Sequence, residues 1–440
     1  MNGILAYLTG VLVFLVGIGV SIGLHELGHL LPAKLFGARV SKYMIGFGPT
    51  IWSATRGGTE YGIKLLPLGG YISIAGMFPK GVINPGKKVG ASTWLRRWVE
   101  SARRQQIAQD GHYNEAQAFH RLSIPRRITI MLGGPIMNLI LGTVFVVLAL
   151  SAFGSYQTGT KIDAVSACVP ADYTKACTAS DIESPGKLAG LQAGDVVTAV
   201  NGTKVTTWAP VQALLVQRVS TLHFQVMRAG KSVAVTVHPA VMSRPAIDEL
   251  TGSAVTNKDG SLKMIQRGVV GVQLNYVRAP YSLDHSLRYS AMAIGQTAAM
   301  VVDLPRQIGE LAYTTFTGGK RSATGPVSVL GIGNISGTIA ENNNLDIPGK
   351  ISVWLLILGS LNYALFVFNL IPLLPLDGGH VLNALIEFVK RTFSKIVWKR
   401  DPGPLDTAKL VPFTMAMWVV LMGVSALVIL SDVINPVSLG

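Results

Sequence analysis

The chain has 440 residues, of which 49% are hydrophobic and only 14% charged, with a formal net charge of +15. A soluble globular chain carries about 25% charged residues, so the deficit, with a mean hydropathy of +0.42, excludes an ordinary water-soluble protein. Residues 34–127 hold 15 Lys/Arg against 4 Asp/Glu, and 388–409 hold 6 Lys/Arg; this basic excess reads as contact with anionic headgroups of a lipid bilayer and not with nucleic acid.

The first predicted element is an apolar run over 4–24 that continues to Phe36, giving a first transmembrane helix within 1–36. It clears the roughly 20 residues that a hydrocarbon core demands. It has no basic n-region and no small-residue cleavage site, and His25 and Glu26 interrupt it, so it reads as a retained helix and not a signal peptide. Residues 37–76 contain "SKYMIGFGPTIWSATRGGTEYGIKLLPLGGYISIAG", β-branched and aromatic runs broken by Gly-Pro, Gly-Gly and Pro. This predicts three or four short strands in a membrane-associated β-region. Residues 77–127 form a basic cytoplasmic segment. In it "TWLRRWVESARRQQIAQ" sets Trp94, Leu95, Trp98 and Val99 against arginines, the pattern of an interfacial amphipathic helix or, failing that, a flexible insertion.

A second transmembrane helix is predicted over 128–153. Residues 154–283 turn to short alternating strands, Gly turns and one helix, which describes a small β-rich soluble domain. Cys168 and Cys177 both fall here; a local disulfide is the plain reading, with free thiols or a redox switch as alternatives. Residues 284–350 hold an amphipathic helical stretch with Pro305 near its middle, then a Gly-rich apolar run, 322–337, that reads as a membrane-surface turn. The third transmembrane helix is expected over 351–387, a basic cytoplasmic loop over 388–408 and the fourth transmembrane helix over 409–440. By the positive-inside rule the two basic segments are cytoplasmic, which places 154–350 and both termini outside.

The chemistry concentrates in two places. In "GLHELGHLL" (23–31), His25 and His29 stand four residues apart and project from one helix face, the bite a zinc ion needs. Glu26 lies one step round and can hold a water and take its proton. Histidine and glutamate inside an apolar helix are costly to bury without a purpose. In "FNLIPLLPLDGGHVLNALIEF" (368–388), Asp377 offers a third ligand, with His380 as its competitor or supporter. Asp377 follows about 24 apolar residues and His25 about 21, in helices running in the same direction, so both reach similar depth near the cytoplasmic face. Pro372 and Pro375 break the helix just before Asp377, and irregular backbone at membrane depth is tolerated where it lines a cavity. Asn369 can bond a substrate backbone or oxyanion, or simply another helix. Zinc suits these ligands, as would Fe(II) or Co(II).

HELGH in the first span with "NLIPLLPLDGG" in the third resembles the site-2 protease family of intramembrane metalloproteases, and the resemblance covers nearly the whole chain. "GFGP", "PLGGYISIAG" and "AFHRLSIPRRITIMLGGPIMN" resemble its β-region and second core helix, and the β-rich segment resembles the PDZ domain that the RseP-like branch places outside. The expected fold is therefore a polytopic α-helical membrane protein of about four transmembrane helices, with a membrane-associated β-region and an inserted extracytoplasmic PDZ-like domain. The resemblance implies Zn2+ on His25, His29 and Asp377, Glu26 as general base, Asn369 as an active-site residue and Asn138 as a weaker candidate for support. It implies cleavage of a transmembrane segment of single-pass membrane proteins, often anti-sigma factors, after a first cut outside, in regulated intramembrane proteolysis at the plasma membrane. One PDZ-like domain resembles the actinobacterial members. The cysteine pair and the long 77–117 insertion depart from the simplest pattern and leave partners open. Two rivals stand beside this: a non-catalytic PDZ-bearing scaffold with a structural metal site, against which Glu26 argues, and a metal transporter, which would need polar residues along several spans.

Overall fold

The computed structural model describes residues 3–77, 113–257, 259–319, 321 and 325–435, together with single positions between 99 and 110. The chain divides into two compact units, Met1–Val146 with Ser290–Gly440, and Val147–Tyr289.

The first unit opens with α1, Gly3–Leu35, apolar around its whole circumference. Two long strands follow, β1 (Val40–Arg56) and β2 (Thr59–Ile74). Both are bent, and Gly46 and Gly48, at φ of +93° and +85°, provide the bend in β1. Their register creates four pairing segments in the order 50–56, 59–66, 40–47, 70–74. The expected short strands are thus two continuous bent ones, with segment 70–74 at one edge. Tyr43 Oη donates to Gly23 O at 2.6 Å, which docks the sheet on α1 beside His25. The amphipathic stretch around Trp94, Leu95 and Trp98 lies outside the described residues. α2, Ile124–Val147, packs its first turns against the end of α1 and the sheet through Leu30, Ala33, Val40, Ile74, Phe119 and Ile130. It continues through a π turn, so its apolar segment runs from Ile124 to Phe153, starting about a turn before the hydropathy places it.

The second unit begins at β3 (Ser155–Val165), followed by β4 (Cys168–Val169), β5 (Ile182–Glu183) and the short helix α3 (Pro185–Leu188). β6 (Val196–Val200), β7 (Thr203–Lys204), α4 (Ala209–Val216), β8 (Leu222–Arg228) and β9 (Lys231–Val237) come next. A hairpin of β10 (Ala240–Pro245) and β11 (Met264–Val269) leads into β12 (Val272–Ala279). The main sheet has the order β12-β3-β6-β8-β9, with β7 on β6. Alternation puts Leu222, Phe224 and Val226 inward onto Val211 and Leu215 of α4, closing one core. In the "GLQAGD" turn Asp195, almost fully buried, accepts both Arg228 Nε and Nη2 at 2.7 Å and Gln192 N at 2.9 Å. The Arg228 guanidinium holds the Asp195 carboxyl below the usual carboxylate range, against the effect of burial. Cys168 and Cys177 form a disulfide, their Cα atoms 5.9 Å apart.

The chain returns through α5 (Leu283–Val302) and α6 (Leu304–Thr317). The single amphipathic stretch expected here is two helices, because Pro305 is accommodated at the start of a helix, where its missing N–H is no loss. Residues 329–337 of the expected surface turn are helical instead: they belong to α7, Val329–Glu341, which packs on α1. The small residues that suggested a turn make a close helix contact. A Cβ at Gly10 would meet Ser336 O at 2.3 Å, one at Gly337 would meet the Tyr7 ring at 2.4 Å, and Ser336 Oγ donates to Gly10 O at 2.8 Å. α8, Ile347–Leu370, is capped by Asp346 through Gly349 N. It ends before Pro372, so the expected 351–387 helix is broken. The next helix, α9, runs Asp377–Val397 and takes in the first half of the basic stretch expected to be a loop. α10, Val411–Ile434, is the last described helix. Four segments, Gly3–Leu35, Ile124–Phe153, Ile347–Leu370 and Thr407–Ile434, are long and apolar enough to cross a membrane.

Candidate metal centre

The last three turns of α1 carry His25, Glu26 and His29. The two histidine Nε2 atoms lie 3.3 Å apart. Asp377 Oδ2, from the first residue of α9, lies 3.5 Å from His25 Nε2 and 3.4 Å from His29 Nε2. Tetrahedral bonds of about 2.0–2.1 Å put neighbouring ligand atoms about 3.3–3.4 Å apart. The three atoms therefore have the spacing of one face of such a tetrahedron. Among the described residues this is the one group of three or more His, Cys, Asp or Glu side chains close enough to share an ion.

Three observations show that the cradle fits a metal. Asp377 Oδ2 is buried and has no hydrogen-bond partner among the described residues. A Cβ at Gly134 of α2 would stand 2.2 Å from His29 Nε2 and 2.7 Å from His25 Cε1, so glycine there leaves the space open. Both imidazoles are held from behind: His29 Nδ1 is 2.7 Å from Ile130 O, and His25 Nδ1 is 2.9 Å from the Asn138 side-chain amide. Ile130 O can only accept, so His29 carries its proton on Nδ1 and turns the Nε2 lone pair to the centre. Asn138 is fully buried and its Oδ1 has no partner among the described residues. With the amide turned so that Oδ1 faces the ring, Asn138 accepts the His25 Nδ1–H and leaves His25 Nε2 free in the same sense.

Local sequence explains why these atoms meet. Gly28 and Gly133 bring α1 and α2 into backbone contact, since a Cβ at Gly28 would meet Gly133 O at 2.3 Å and one at Gly133 would meet Gly28 O at 2.0 Å. The two glycines after Asp377 allow a tight reversal from α8: a Cβ at Gly378 would meet Ile371 O at 2.4 Å, and one at Gly379 would meet Leu374 N at 2.5 Å. Glu26 is nearly buried, and its carboxylate interacts electrostatically with His25, His29 and Asp377. The edge segment of β2 passes directly over it, with a Cβ at Gly70 only 3.0 Å from Glu26 Cγ.

Not every expected residue joins the group. Asn369 lies in the last turn of α8, half-buried, and its side chain makes no hydrogen bond among the described residues. His380, one turn into α9, lies outside the cluster. His120, never an expected ligand, is bound at Gly76 O and Glu115. Gly133, Gly134 and Gly70 were not singled out from the sequence, because their roles are purely tertiary; Asn138 was signalled only by the family resemblance.

Farther from the cluster, α2 and α9 are tied by a buried ion pair. Arg127 Nη1 and Nη2 donate to Glu387 at 3.0 and 2.6 Å, and Glu387 also accepts Leu405 N at 3.0 Å. Arg127 precedes Gly134 and Asn138 on α2, and Glu387 follows Asp377 on α9, so the pair holds the two helices in register below the centre.

The sequence model of Peptidase family M50 matches residues 13–399. "Zinc metalloprotease Rip1" of Mycolicibacterium smegmatis is 29% identical over 442 residues, covering 98% of each chain. The protein of the same name from Mycobacterium tuberculosis is 28% identical over 447 residues, 98% of this chain and 99% of its own. "Metalloprotease MmpA" of Caulobacter vibrioides is 25% identical over 402 residues, 89% of each. With four membrane-length helices and a two-histidine, one-carboxylate cradle, the chain belongs to peptidase family M50, the site-2 proteases, and is a multi-pass membrane zinc metalloprotease.

Proposed function

We propose that the protein cuts within a transmembrane segment of single-pass membrane proteins, anti-sigma factors among them, after another protease has removed their outer domain. The observation that carries this is the position of the triangle of His25, His29 and Asp377: it joins α1 to the start of α9, directly after α8, and α1 and α8 are both long enough to span. Zinc bound by these three would supply Lewis-acid polarisation of the scissile carbonyl and activation of a water. Glu26 takes the proton of the attacking water and returns it to the departing amide nitrogen. Asn369 orients the unwound chain, a role its unpaired side chain leaves it free to play. Asn138 and Ile130 O keep the imidazoles turned inward.

A transmembrane helix hides every amide in its own hydrogen bonds, so it must unwind before attack. Segment 70–74 is a sheet edge passing over Glu26, and an unwound substrate adding to that edge as a strand would lie across the centre. The β-rich unit acts as a PDZ-like domain outside the membrane, either filtering by size or holding the new C-terminus, and the centre opens towards the cytoplasmic side.

The test is the cut position. The purified chain in liposomes is given a single-pass substrate with and without its outer domain, and the products are sized by mass spectrometry. The account expects cleavage inside the membrane segment, of the trimmed substrate. Cleavage confined to residues outside that segment would refute it.

A further inference from the structure

α9 is built inside out for a water-soluble protein. Leu382, Leu385, Ile386, Val389, Phe393 and Ile396 follow helical spacing along one face, and all are exposed, Val389 by 65% and Ile396 by 73%. The opposite face is polar and buried: Asn383, Glu387 and Ser394 turn into the protein, with Glu387 fixed on Arg127. A helix that hides its polar side and shows its apolar side has lipid as its outer solvent. Yet α9 is not one of the four segments fit to span. Its basic residues, Lys390, Arg391 and Lys395, lie in the C-terminal half, and Trp398, Lys399 and Arg400 follow directly after it. Lys390, Lys399 and Arg400 have no ion-pair partner among the described residues, and Lys395 is shared with Asp401 at 3.4 Å.

Both ends of α9 are tied to spanning helices. Gly378 packs on Ile371 O at the end of α8, and the segment of α10 begins at Thr407, ten residues after Val397. The helix therefore starts at the hydrocarbon edge where α8 leaves it and must return to that edge.

We propose that α9 lies in the plane of the membrane interface, its apolar face among the acyl chains, with Lys390, Lys399 and Arg400 binding the phosphates of anionic phospholipids. Lysine and arginine flanking an in-plane apolar face match that surface in charge, and the chain as a whole carries +15. Because Asp377 is the first residue of α9, the depth of this helix is also the depth of that carboxylate.

The test uses the full chain in vesicles and does not depend on protease activity. Cys168 and Cys177 are joined, so Val389→Cys supplies the one free thiol for a bimane label, and Ile396→Cys repeats the measurement. Vesicles contain equal phosphatidylcholine and phosphatidylglycerol, with one lipid at a time brominated along its chains. Both lipids are expected to quench both labels, the brominated phosphatidylglycerol at least twofold more strongly. That preference is expected to vanish when Lys390→Gln, Lys399→Gln and Arg400→Gln are combined. No quenching by either lipid, or quenching that appears only when the protein is diluted in lipid, would overturn the proposal, the latter in favour of a second copy covering the face. Equal quenching by both lipids in the otherwise native chain would overturn the anionic site.

Discussion

Gly134→Ala is the sharpest probe of the centre. The added Cβ would stand 2.2 Å from His29 Nε2, where an ordinary contact begins at 3.4 Å. Neither partner can give way freely. His29 is held by Ile130 O at 2.7 Å, and α2 cannot slide towards α1 because Gly133 and Gly28 already touch. Retreat of α2 would loosen Ile130 and Asn138 from both imidazoles. The shortfall of about 1.2 Å is several times the roughly 0.2 Å tolerance of a metal–ligand distance. Loss of an orienting partner alone weakens metal binding about 10–100-fold, so Gly134→Ala should lose more than about 100-fold. Zinc affinity is read in detergent against a competing fluorescent chelator, with thermal unfolding and elution volume as checks on the fold. Gly19→Ala, where a Cβ meets nothing within 4 Å, should bind zinc normally. Native zinc affinity in Gly134→Ala would show that the ion sits elsewhere.

Asn138→Ala should reduce zinc affinity about 10–100-fold, while Asn138→Asp, which keeps an acceptor for His25 Nδ1, should recover most of it in the same titration. Glu387→Gln leaves the Arg127 charge buried without its partner and should destabilise the protein by about 3–5 kcal/mol, read as a lower denaturant midpoint; Arg127→Met with Glu387→Met should regain most of that loss, and an unchanged single variant would mean the pair is not closed. The carboxyl of Asp195 is held below its unfolded value by Arg228, so its contribution to the second unit is complete above the unfolded carboxyl pKa of about 3.9 and is lost as pH falls through the lower folded value. Hydrogen exchange in β6 should therefore accelerate on acidification below about pH 4 in the native chain, and Asp195→Asn should flatten that dependence; an identical acid profile in both would remove Asp195 as the cause.

The centre was legible because its logic is partly one-dimensional. The spacing of His25 and His29 sets their common face, and counting apolar residues to Asp377 in a parallel span matches its depth to theirs. What keeps the space between the three side chains open was not legible, because Gly134 and Gly133 matter only through the helix they touch. The stretch holding Gly333, Ser336 and Gly337 looked like a turn because small residues loosen an isolated helix; against Gly10 and Tyr7 the same smallness permits close packing. α9 was expected as a loop beyond residue 387 because lysines and arginines outweighed its apolar spacing. Its meaning appears only once Asn383 and Glu387 are seen inside and Val389 and Phe393 outside. Cys168 and Cys177 form the local disulfide that was the plain reading of two cysteines in one segment.

The central claim is that His25, His29 and Asp377 hold one zinc at which Glu26 drives hydrolysis of a membrane-embedded peptide bond. The most direct measurement compares the native chain with Glu26→Gln at equal bound zinc, in liposomes, on a trimmed single-pass substrate. The account predicts one zinc per chain in both and cleavage by the native chain alone. Equal cleavage by both would contradict it.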